Sequence, residues 1–410
     1  MLKSHKKTIL EALGRNPIHP FPARMAPGIA LDALGESRGL RVLDPMAGSG
    51  TVLAVARANG HRAFGVDVDP LAVLLADVWT RTLDAERIRG KASEILDRAK
   101  MSFDVLPVGE AYPAGSDDET RDFIRYWFDD YARRQLAALS AAISRLHDHS
   151  TRKVLWCAFS RLIITKTAGA SLAMDLSHSR PHRQFTHAPV KPFNRFIAAV
   201  ETIIANCPQS GSGEVGPATV VKRGDARRLE IVSGSIDLVL TSPPYLNAID
   251  YMRCSKFSLV WMGHTVGEIR QIRGESVGAE VSSEEALDAA WVKSIIKELK
   301  LTPALSSRDY ALLARYAWDM GHALSEASRV LRRRGRAVYV VGDSMSRGTF
   351  IRNSLIVTLV AERNGLSLVS RQCRSLPANR RYLPPPKRRK SNDMMDGRMR
   401  REVVLAFKKP

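Results

Sequence analysis

The chain has 410 residues, a length typical of roughly two or three domains, and 45% of them are apolar, which is enough for a sizeable core. Its formal net charge of +20 favours a polyanionic partner, and nucleic acid is the first to consider. Four scattered cysteines without CxxC spacing argue against a thiolate zinc site and a disulfide framework, and no stretch approaches the roughly 20 apolar residues of a membrane span. We therefore expect a cytoplasmic protein with no metal and no membrane segment, acting in a reducing compartment.

The first 80 residues predict a βαβα unit. Residues 40–43 are typical of a short buried strand, and residues 51–59 form an Ala- and Val-rich helical pattern. The connecting residues, 44–50, read Asp-Pro-Met-Ala-Gly-Ser-Gly. A second strand, 63–70, ends in acidic residues and precedes a helical pattern at 71–79.

Helical patterns dominate residues 81–215, and strands return after them. Amphipathic helices are predicted near 86–101, 119–147, 152–166 and 191–206. Strands are predicted at 218–222, 236–240, 336–341 and 366–369, the last pairing with 402–407. We therefore predict an α/β domain formed by residues 1–80 and 216–410 and interrupted by a helical insertion at 81–215.

The Gly-rich loop that follows the first strand matches neither a dinucleotide GxGxxG motif nor a P-loop, so phosphate binding is not indicated. Gly48 and Gly50 allow a tight turn and close approach of a ligand, although such a turn alone is equally explained by structure. An acid about twenty residues downstream, Asp67, is placed to bind ribose hydroxyls in the same crevice. Asp69 precedes a proline and is as well explained as a helix N-cap.

A second motif, Thr241-Ser-Pro-Pro-Tyr245, follows an apolar strand. Two consecutive prolines end the strand and fix the backbone, so that the neighbouring hydroxyl and carbonyl groups have defined positions. A hydroxyl, two rigid prolines and an aromatic ring suit the binding of a planar ring that carries an amine. The alternative is a plain strand terminator with a surface tyrosine.

Together the two motifs resemble those of the S-adenosylmethionine-dependent DNA amino-methyltransferases, whose motif I is similar to Asp-Pro-x-x-Gly-Ser-Gly-Thr and whose motif IV is similar to Ser-Pro-Pro-Tyr. The resemblance extends to residues 16–27, which look like the family's N-terminal motif, to 223–227 and to 324–342. It implies a Rossmann-like class I methyltransferase fold with a large helical insertion, S-adenosylmethionine as cofactor and double-stranded DNA as partner.

The resemblance also implies roles for individual residues. Asp44 would bind the cofactor's ammonium group, Asp67 its ribose and Asp225 its adenine amine, although Asp225 is also explained as a turn residue after Gly224. The cofactor-binding residues are expected to be Asp44, Gly48, Gly50, Thr51, Asp67 and Asp225. The catalytic residues are expected to be Ser242, Pro243, Pro244 and Tyr245.

The substrate expectation depends on Ser242. In the resembling family a serine at this position accompanies the cytosine N4 amine more often, whereas Asp or Asn accompanies adenine N6. We therefore expect a cytosine-N4 DNA methyltransferase, with adenine-N6 activity, an RNA amine methyltransferase and a non-enzymatic nucleic-acid-binding protein as alternatives. A cognate restriction endonuclease is a further expected partner.

Several segments lie outside these motifs. The separation of 196 residues between Asp44 and Leu240 far exceeds the three strand–helix units of about 25 residues each that would join the motifs, and the surplus coincides with 81–215, which is expected to recognise the target. Within it, residues 177–187 are basic and His-rich and are interpreted as a DNA-contacting loop or as an ordered structural loop, not as a metal site. Residues 246–261 predict one helix, and 270–274 a groove contact or a solvated loop.

The last forty residues, 371–410, carry 13 Lys and Arg residues against three acidic ones. Each basic side chain could neutralise a backbone phosphate and release its counterions. We interpret this segment as a phosphate-contacting arm, with a solubilising tail as the alternative.

Overall fold

The computed structural model of the chain divides into two compact units. The first unit comprises Met1–Arg38, Ala47–Arg223 and Asp250–Arg273, and the second comprises Gly39–Met46, Gly224–Ile249 and Gly274–Pro410. The structure describes residues 7–22, 24–177, 181–210, 216–246, 252–279, 283–301, 305–346, 349–375 and 401–410. The division into 1–80, 81–215 and 216–410 stays a prediction.

The helices and strands have the following bounds. The helices are α1 Ile9–Leu13, α2 Pro27–Leu34, α3 Thr51–Ala58, α4 Pro70–Trp79, α5 Ala85–Val105, α6 Asp118–Trp127, α7 Asp130–Ser144, α8 His149–Ile163, α9 Pro192–Ile204, α10 Met252–Leu259, α11 Val266–Glu275, α12 Glu284–Asp288, α13 Ala290–Glu298, α14 Ser307–Val330 and α15 Asn353–Arg363. The strands are β1 Arg41–Asp44, β2 Arg62–Asp67, β3 Thr219–Arg223, β4 Ile236–Thr241, β5 Leu331–Gly342, β6 Ser344–Ser346, β7 Thr349–Ile351, β8 Ser367–Ser375 and β9 Arg401–Lys408.

The first unit is mostly helical. Its strands β2 and β3 pair in parallel, with Asp67 opposite Arg223 at their carboxyl ends. Helices α5 to α9 lie between these strands in the chain and bury large side chains, among them Phe159 and Phe196, in one continuous core. The single helix expected at 119–147 is wrong: Phe128 is extended, and Asp129 caps a new helix by accepting a hydrogen bond from the Ala132 backbone amide.

The second unit contains a sheet in the order β1-β4-β5-β9-β8. Strands β1, β4 and β5 are parallel to one another, whereas β9 is antiparallel to β5 and to β8. These directions bring the carboxyl ends of β1, β4 and β5 to the same edge as the end of β8 and the start of β9. Ligands of open α/β sheets bind outside the carboxyl ends of the parallel strands, so we call this the carboxyl edge.

Parallel strands that alternate with helices confirm the expected α/β, Rossmann-like class, and α5 to α9 supply the large helical insertion. The predicted pairing of 366–369 with 402–407 is also confirmed, because β8 and β9 form an antiparallel ladder.

Two local expectations are wrong. The helix expected at 246–261 ends at Leu259 and gives way to a single 3-10 turn, after which Gly263 adopts a left-handed conformation; residues 247–251 lie outside the described ranges. Residues 270–274 are not a loop but part of α11, where Arg270 forms an ion pair with Glu119. Among the described residues, no helix is long and apolar enough to cross a membrane.

Candidate active site

The expected site residues are divided between the two units. In the first unit they are Gly48, Gly50, Thr51 and Asp67, and in the second unit they are Asp44, Asp225, Ser242, Pro243, Pro244 and Tyr245.

In the first unit the structure brings Asp67 together with the Gly-rich loop. One carboxylate oxygen, Oδ2, accepts a hydrogen bond from the Gly48 amide at 2.8 Å, and the other, Oδ1, accepts one from the Asp69 amide at 2.9 Å. A carboxylate offers about four acceptor positions, and the Val68 amide also interacts with this one, so capacity remains for a ribose hydroxyl group. Burial raises the pKa of Asp67 above its usual value.

The two glycines of the loop have different roles. Gly50 has a φ of +84° at the N-cap of α3, and a Cβ there would lie 2.8 Å from the Cα and Cβ atoms of Ala76 on α4. Gly48 has a φ of +50°, but its Cβ would meet only the Phe21 ring at 3.8 Å. Gly50 is therefore required for close packing of the loop on α4, whereas the surroundings of Gly48 are open.

A buried hydroxyl group follows these glycines. Thr51 Oγ1 is buried and has no hydrogen-bond partner in the described part of the chain. Buried polar atoms are usually hydrogen-bonded, so an unsatisfied hydroxyl beside a Gly-rich loop is consistent with a ligand-binding role.

The N-terminal segment at 16–27, which resembles the family's N-terminal motif, contacts the Gly-rich loop. Arg24 Nε donates to Ser49 Oγ at 3.0 Å, and a second guanidinium nitrogen donates to the His19 carbonyl. His19 itself is buried and contacts Ser160 Oγ through Nε2 at 2.9 Å, while Ser160 Oγ contacts Ser258 Oγ at 2.8 Å. Burial, together with the charges of nearby arginines, holds the pKa of His19 well below its usual value, so the ring is neutral.

Asp69 is a helix cap, the alternative that the sequence left open. Its Oδ1 accepts from the Leu71 amide at 2.8 Å, which caps α4, and its Oδ2 accepts from Ser255 Oγ on α10 at 2.6 Å. Burial and the neighbouring charge of Asp67 raise the pKa of Asp69 to about 7.

In the second unit Asp44 is joined to the strand that precedes the Ser-Pro-Pro-Tyr motif. The buried Asp44 carboxylate accepts from Thr241 Oγ1 at 2.7 Å and from the Met46 amide at 3.2 Å. Tyr339, the register partner of Thr241 on β5, has a buried hydroxyl without a partner in the described ranges. Burial and the charge of Asp44 raise the pKa of that phenol.

The Ser-Pro-Pro-Tyr motif lies at the carboxyl edge, directly after β4. Ser242 Oγ donates to the Val340 carbonyl at 3.2 Å and lies 3.3 Å from the Tyr245 hydroxyl. Pro243 is buried, and Ser242, Pro244 and Tyr245 are half-buried. Because the Ser242 hydroxyl donates to Val340, a lone pair of its oxygen can accept a hydrogen bond, either from the Tyr245 hydroxyl or from a ligand.

Asp225 is found in a turn and in an ion pair. Its carboxylate accepts from the Arg227 amide at 2.8 Å and from the Arg227 guanidinium at 2.7 to 3.0 Å. The turn that the sequence offered as an alternative is therefore present, and contact with the cofactor's adenine stays a prediction.

The basic loop of the insertion is anchored to its surroundings. The Gln184 amide donates to the Leu172 carbonyl at 2.8 Å, the Ala188 amide donates to Asp129, and the guanidinium of Arg183 lies over the Tyr126 ring at 5.6 Å. Residues 178–180, including one of the three histidines, lie outside the described residues. Within those residues, no group of three or more His, Cys, Asp or Glu side chains is arranged to hold a metal ion.

The basic C-terminal segment is bounded by paired strands. Ser375 at the end of β8 is the register partner of Arg401 at the start of β9. Residues 376–400, which include the run from Lys387 to Lys390, lie outside the described residues. The interpretation of this run as a phosphate-contacting arm stays a prediction.

Sequence reasoning missed several residues that organise these groups. Thr241 and Arg227 lie inside the quoted motifs and carry donor groups, so the sequence could have indicated them as hydrogen-bond donors to the two aspartates. Ser255 and Asp319 lie on helices and carry no local signal, because only the tertiary fold brings them to their partners.

The chain shares weak sequence similarity with known methyltransferases. No protein-family model matches it. The Type II methyltransferase M.MvaI of Kocuria varians is 19% identical over 390 residues, which cover 88% of this chain and 84% of the relative. The Type II methyltransferase M.BsoBI of Geobacillus stearothermophilus is 23% identical over 323 residues, which cover 74% of this chain and 61% of the relative.

Among solved structures, a TehB-like SAM-dependent methyltransferase from Corynebacterium glutamicum aligns with a TM-score of 0.30 and 12% identity over 98% of this chain and 92% of that chain. The sequence similarity, and not this structural overlap, makes the chain a distant relative of Type II methyltransferases.

Proposed function

We propose that this protein transfers a methyl group from S-adenosylmethionine to the N4 amine of a cytosine that is flipped out of double-stranded DNA. The observation that carries the proposal is the Ser242-to-Tyr245 motif, which lies at the carboxyl edge with a serine hydroxyl that donates to Val340 and can accept a further hydrogen bond. The weak sequence similarity to Type II methyltransferases supports methyl transfer, and the choice of cytosine N4 depends on Ser242.

The residues present fit the cofactor. Asp67 has acceptor capacity for a ribose, and the buried Thr51 hydroxyl lacks a partner among the described residues. Gly48 would allow close approach of the methionine portion, and Asp44 and Asp225 would receive its ammonium and adenine amine. When bound, the cofactor supplies an electrophilic methyl group, so the protein has to provide positioning more than acid–base chemistry.

Ser242 and the Pro243 carbonyl would accept the two hydrogens of the target amine. Two acceptors draw the nitrogen away from conjugation with the ring and stabilise the positive charge that develops on it during methyl transfer. Tyr245 would stack on the base, because an amine inside a duplex is unreachable until the nucleotide is flipped.

The expected DNA partner is consistent with the charge of the chain. The net charge of +20 and the exposed Arg183 of the anchored loop favour phosphate contacts. The assignment of 81–215 as the target-recognition region, the restriction endonuclease partner and the cytoplasmic location all stay predictions.

The proposal is tested by incubating the protein with labelled cofactor and several DNAs and RNAs, followed by nucleoside digestion and mass spectrometry. We expect N4-methylcytosine in DNA. N6-methyladenine would overturn the base assignment, methylation of RNA alone would overturn the substrate class, and no transfer to any nucleic acid would overturn the assignment as an enzyme.

Ser242→Ala tests the mechanism within the same assay. Removal of an acceptor that acts mainly in the transition state should lower turnover by roughly a hundredfold and change DNA binding much less. Ser235→Ala, at the opposite end of β4, is the matched control and should retain full turnover. Equal turnover of the two variants would remove Ser242 from the catalytic residues.

A further inference from the structure

The Asp225 carboxylate is held by a single arginine side chain. Arg227 Nε lies 3.0 Å from both carboxylate oxygens, and Arg227 Nη2 donates to Oδ2 at 2.7 Å. The side chain of Asp225 is still 34% exposed. The carboxylate therefore has a fixed orientation while part of it remains accessible to a ligand.

Arg227 is in turn held by a buried carboxylate on α14. Its Nη1 donates to Asp319 Oδ1 at 2.6 Å, and its Nη2 also donates to the Glu275 carbonyl. All three nitrogens of the guanidinium thus have partners, so the group has little freedom to rotate away from Asp225. A planar guanidinium that donates several hydrogen bonds fixes the orientation of a carboxylate, whereas a lysine ammonium does not.

Asp319 is stabilised from the other side. Its side chain is 1% exposed, and its Oδ2 accepts from Arg315 Nε at 2.9 Å and from the Gly278 amide at 3.0 Å. Two aspartates and two arginines alternate in this cluster, so the charges balance. A buried carboxylate with this set of donors can act as a rigid counter-ion, whereas one that lacked them would be strongly unfavourable.

A carboxylate with a fixed orientation can discriminate between purines by the group at their 6-position. It accepts hydrogen bonds only, so it favours a purine with a 6-amino group and repels one with a 6-oxo group. A carboxylate that could rotate would relieve this repulsion, and Arg227 could then donate to the oxo group. When a buried polar group is left without a partner or faces a group that repels it, otherwise similar ligands differ strongly in affinity.

We propose that Arg227 and Asp319 are positioning residues that hold Asp225 in the orientation required to select the adenine of the cofactor. The inference rests on the proposed function, because it takes S-adenosylmethionine as the ligand of Asp225. It adds to that function the residues that enforce selectivity for a 6-aminopurine.

The test measures binding of two stable probes, S-adenosylhomocysteine and its deaminated counterpart S-inosylhomocysteine, by calorimetry. The wild-type protein should prefer the adenine compound by about a hundredfold or more. Arg227→Lys and Asp319→Asn should reduce this preference by about tenfold. Glu326→Gln, which makes the same change from carboxylate to amide as Asp319→Asn and lies on the same helix, should leave the preference unchanged.

A double-mutant cycle separates positioning through Asp225 from a general structural effect. In an Asp225→Asn background, Arg227→Lys should cause no further loss of preference, because its effect is transmitted through the missing carboxylate. Urea unfolding of each variant shows whether it is folded, and Arg227→Lys keeps the test available where Asp319→Asn does not fold.

The outcomes distinguish the two proposals. A wild-type protein that binds neither probe would overturn the cofactor assignment and the inference with it. A wild-type protein that binds both probes equally, or a folded Arg227→Lys variant with undiminished preference, would overturn the inference alone.

Discussion

At the scale of single residues, Asp69 makes the stability of the first unit depend on pH. Its carboxyl is buried, caps α4, and lies next to the charged Asp67, and its pKa is raised to about 7. A carboxyl whose pKa is higher in the folded state than in the unfolded state stabilises the fold when protonated. That contribution is present at low pH and is lost as the pH rises from about 4 towards 7.

Asp69→Asn removes the charge and keeps a good N-cap acceptor for the Leu71 amide. Between pH 5 and pH 8 we expect the free energy of unfolding of the variant to rise by on the order of 2–4 kcal/mol relative to that of the wild type, since each pKa unit corresponds to about 1.36 kcal/mol. Urea unfolding at the two pH values measures the difference. Asp84→Asn makes the same change at the exposed cap of α5, and its effect on the free energy of unfolding should change much less between the two pH values. If the difference between Asp69→Asn and wild type is the same at both pH values, the prediction is wrong.

At the scale of elements, the two glycines of the Gly-rich loop differ in their surroundings: Gly50 packs tightly against α4, whereas the space around Gly48 is open. Gly50 allows α3 to begin against α4, because any Cβ at this position would overlap Ala76. Gly48 donates its amide to Asp67 and has room around its Cα. Gly50 therefore has a packing role, whereas a role of Gly48 in ligand binding stays a prediction.

Gly50→Ala should lower the free energy of unfolding by about 2–4 kcal/mol, because it adds overpacking against α4 to the cost of a left-handed backbone. Gly48→Ala is the matched control, since it has only the backbone cost of roughly 1 kcal/mol. Chemical denaturation measures both values. Equal destabilisation of the two variants would show that the overlap with Ala76 is relieved at little cost.

At the scale of the whole molecule, the described residues on either side of the most basic segment lie at the carboxyl edge. The residues that bound the basic segment, Ser375 and Arg401, lie at this edge on β8 and β9. With about 4.8 Å between neighbouring strands, their strands are roughly 10 to 14 Å from β4, which leads into Ser242. We expect the segment between them to contact phosphates near the reacting base.

The salt dependence of DNA binding tests this expectation. Lys387→Gln combined with Arg388→Gln should flatten the slope of log affinity against log salt by about 0.9 for each phosphate that is no longer neutralised. Arg333→Gln combined with Arg334→Gln removes the same charge at the opposite edge of the sheet and should leave the slope nearly unchanged. If the first pair of changes leaves the slope as it was, the segment is not in the interface.

The amino-acid sequence by itself determined the features that depend on neighbours in the chain. Strand–loop–helix periodicity, the rigid Ser242-to-Tyr245 motif and the excess of basic residues are all local, and the α/β class follows from the order of the predicted elements. Where local signals compete, the prediction was wrong, as at Phe128 and Asp129, where one amphipathic pattern covers two helices.

Only the tertiary structure decided which of the chemical groups act together. Thr241 reaches Asp44, Ser255 reaches Asp69, and Asp319 reaches Arg227 across 92 to 197 residues of chain. Such pairs leave no periodic signal, because hydrogen bonds between distant elements depend on sheet order and helix packing and not on spacing along the sequence. For the same reason the basic residues could be counted from the sequence, whereas the position of the described residues that flank them, Ser375 and Arg401, at the carboxyl edge required the register of β8 and β9.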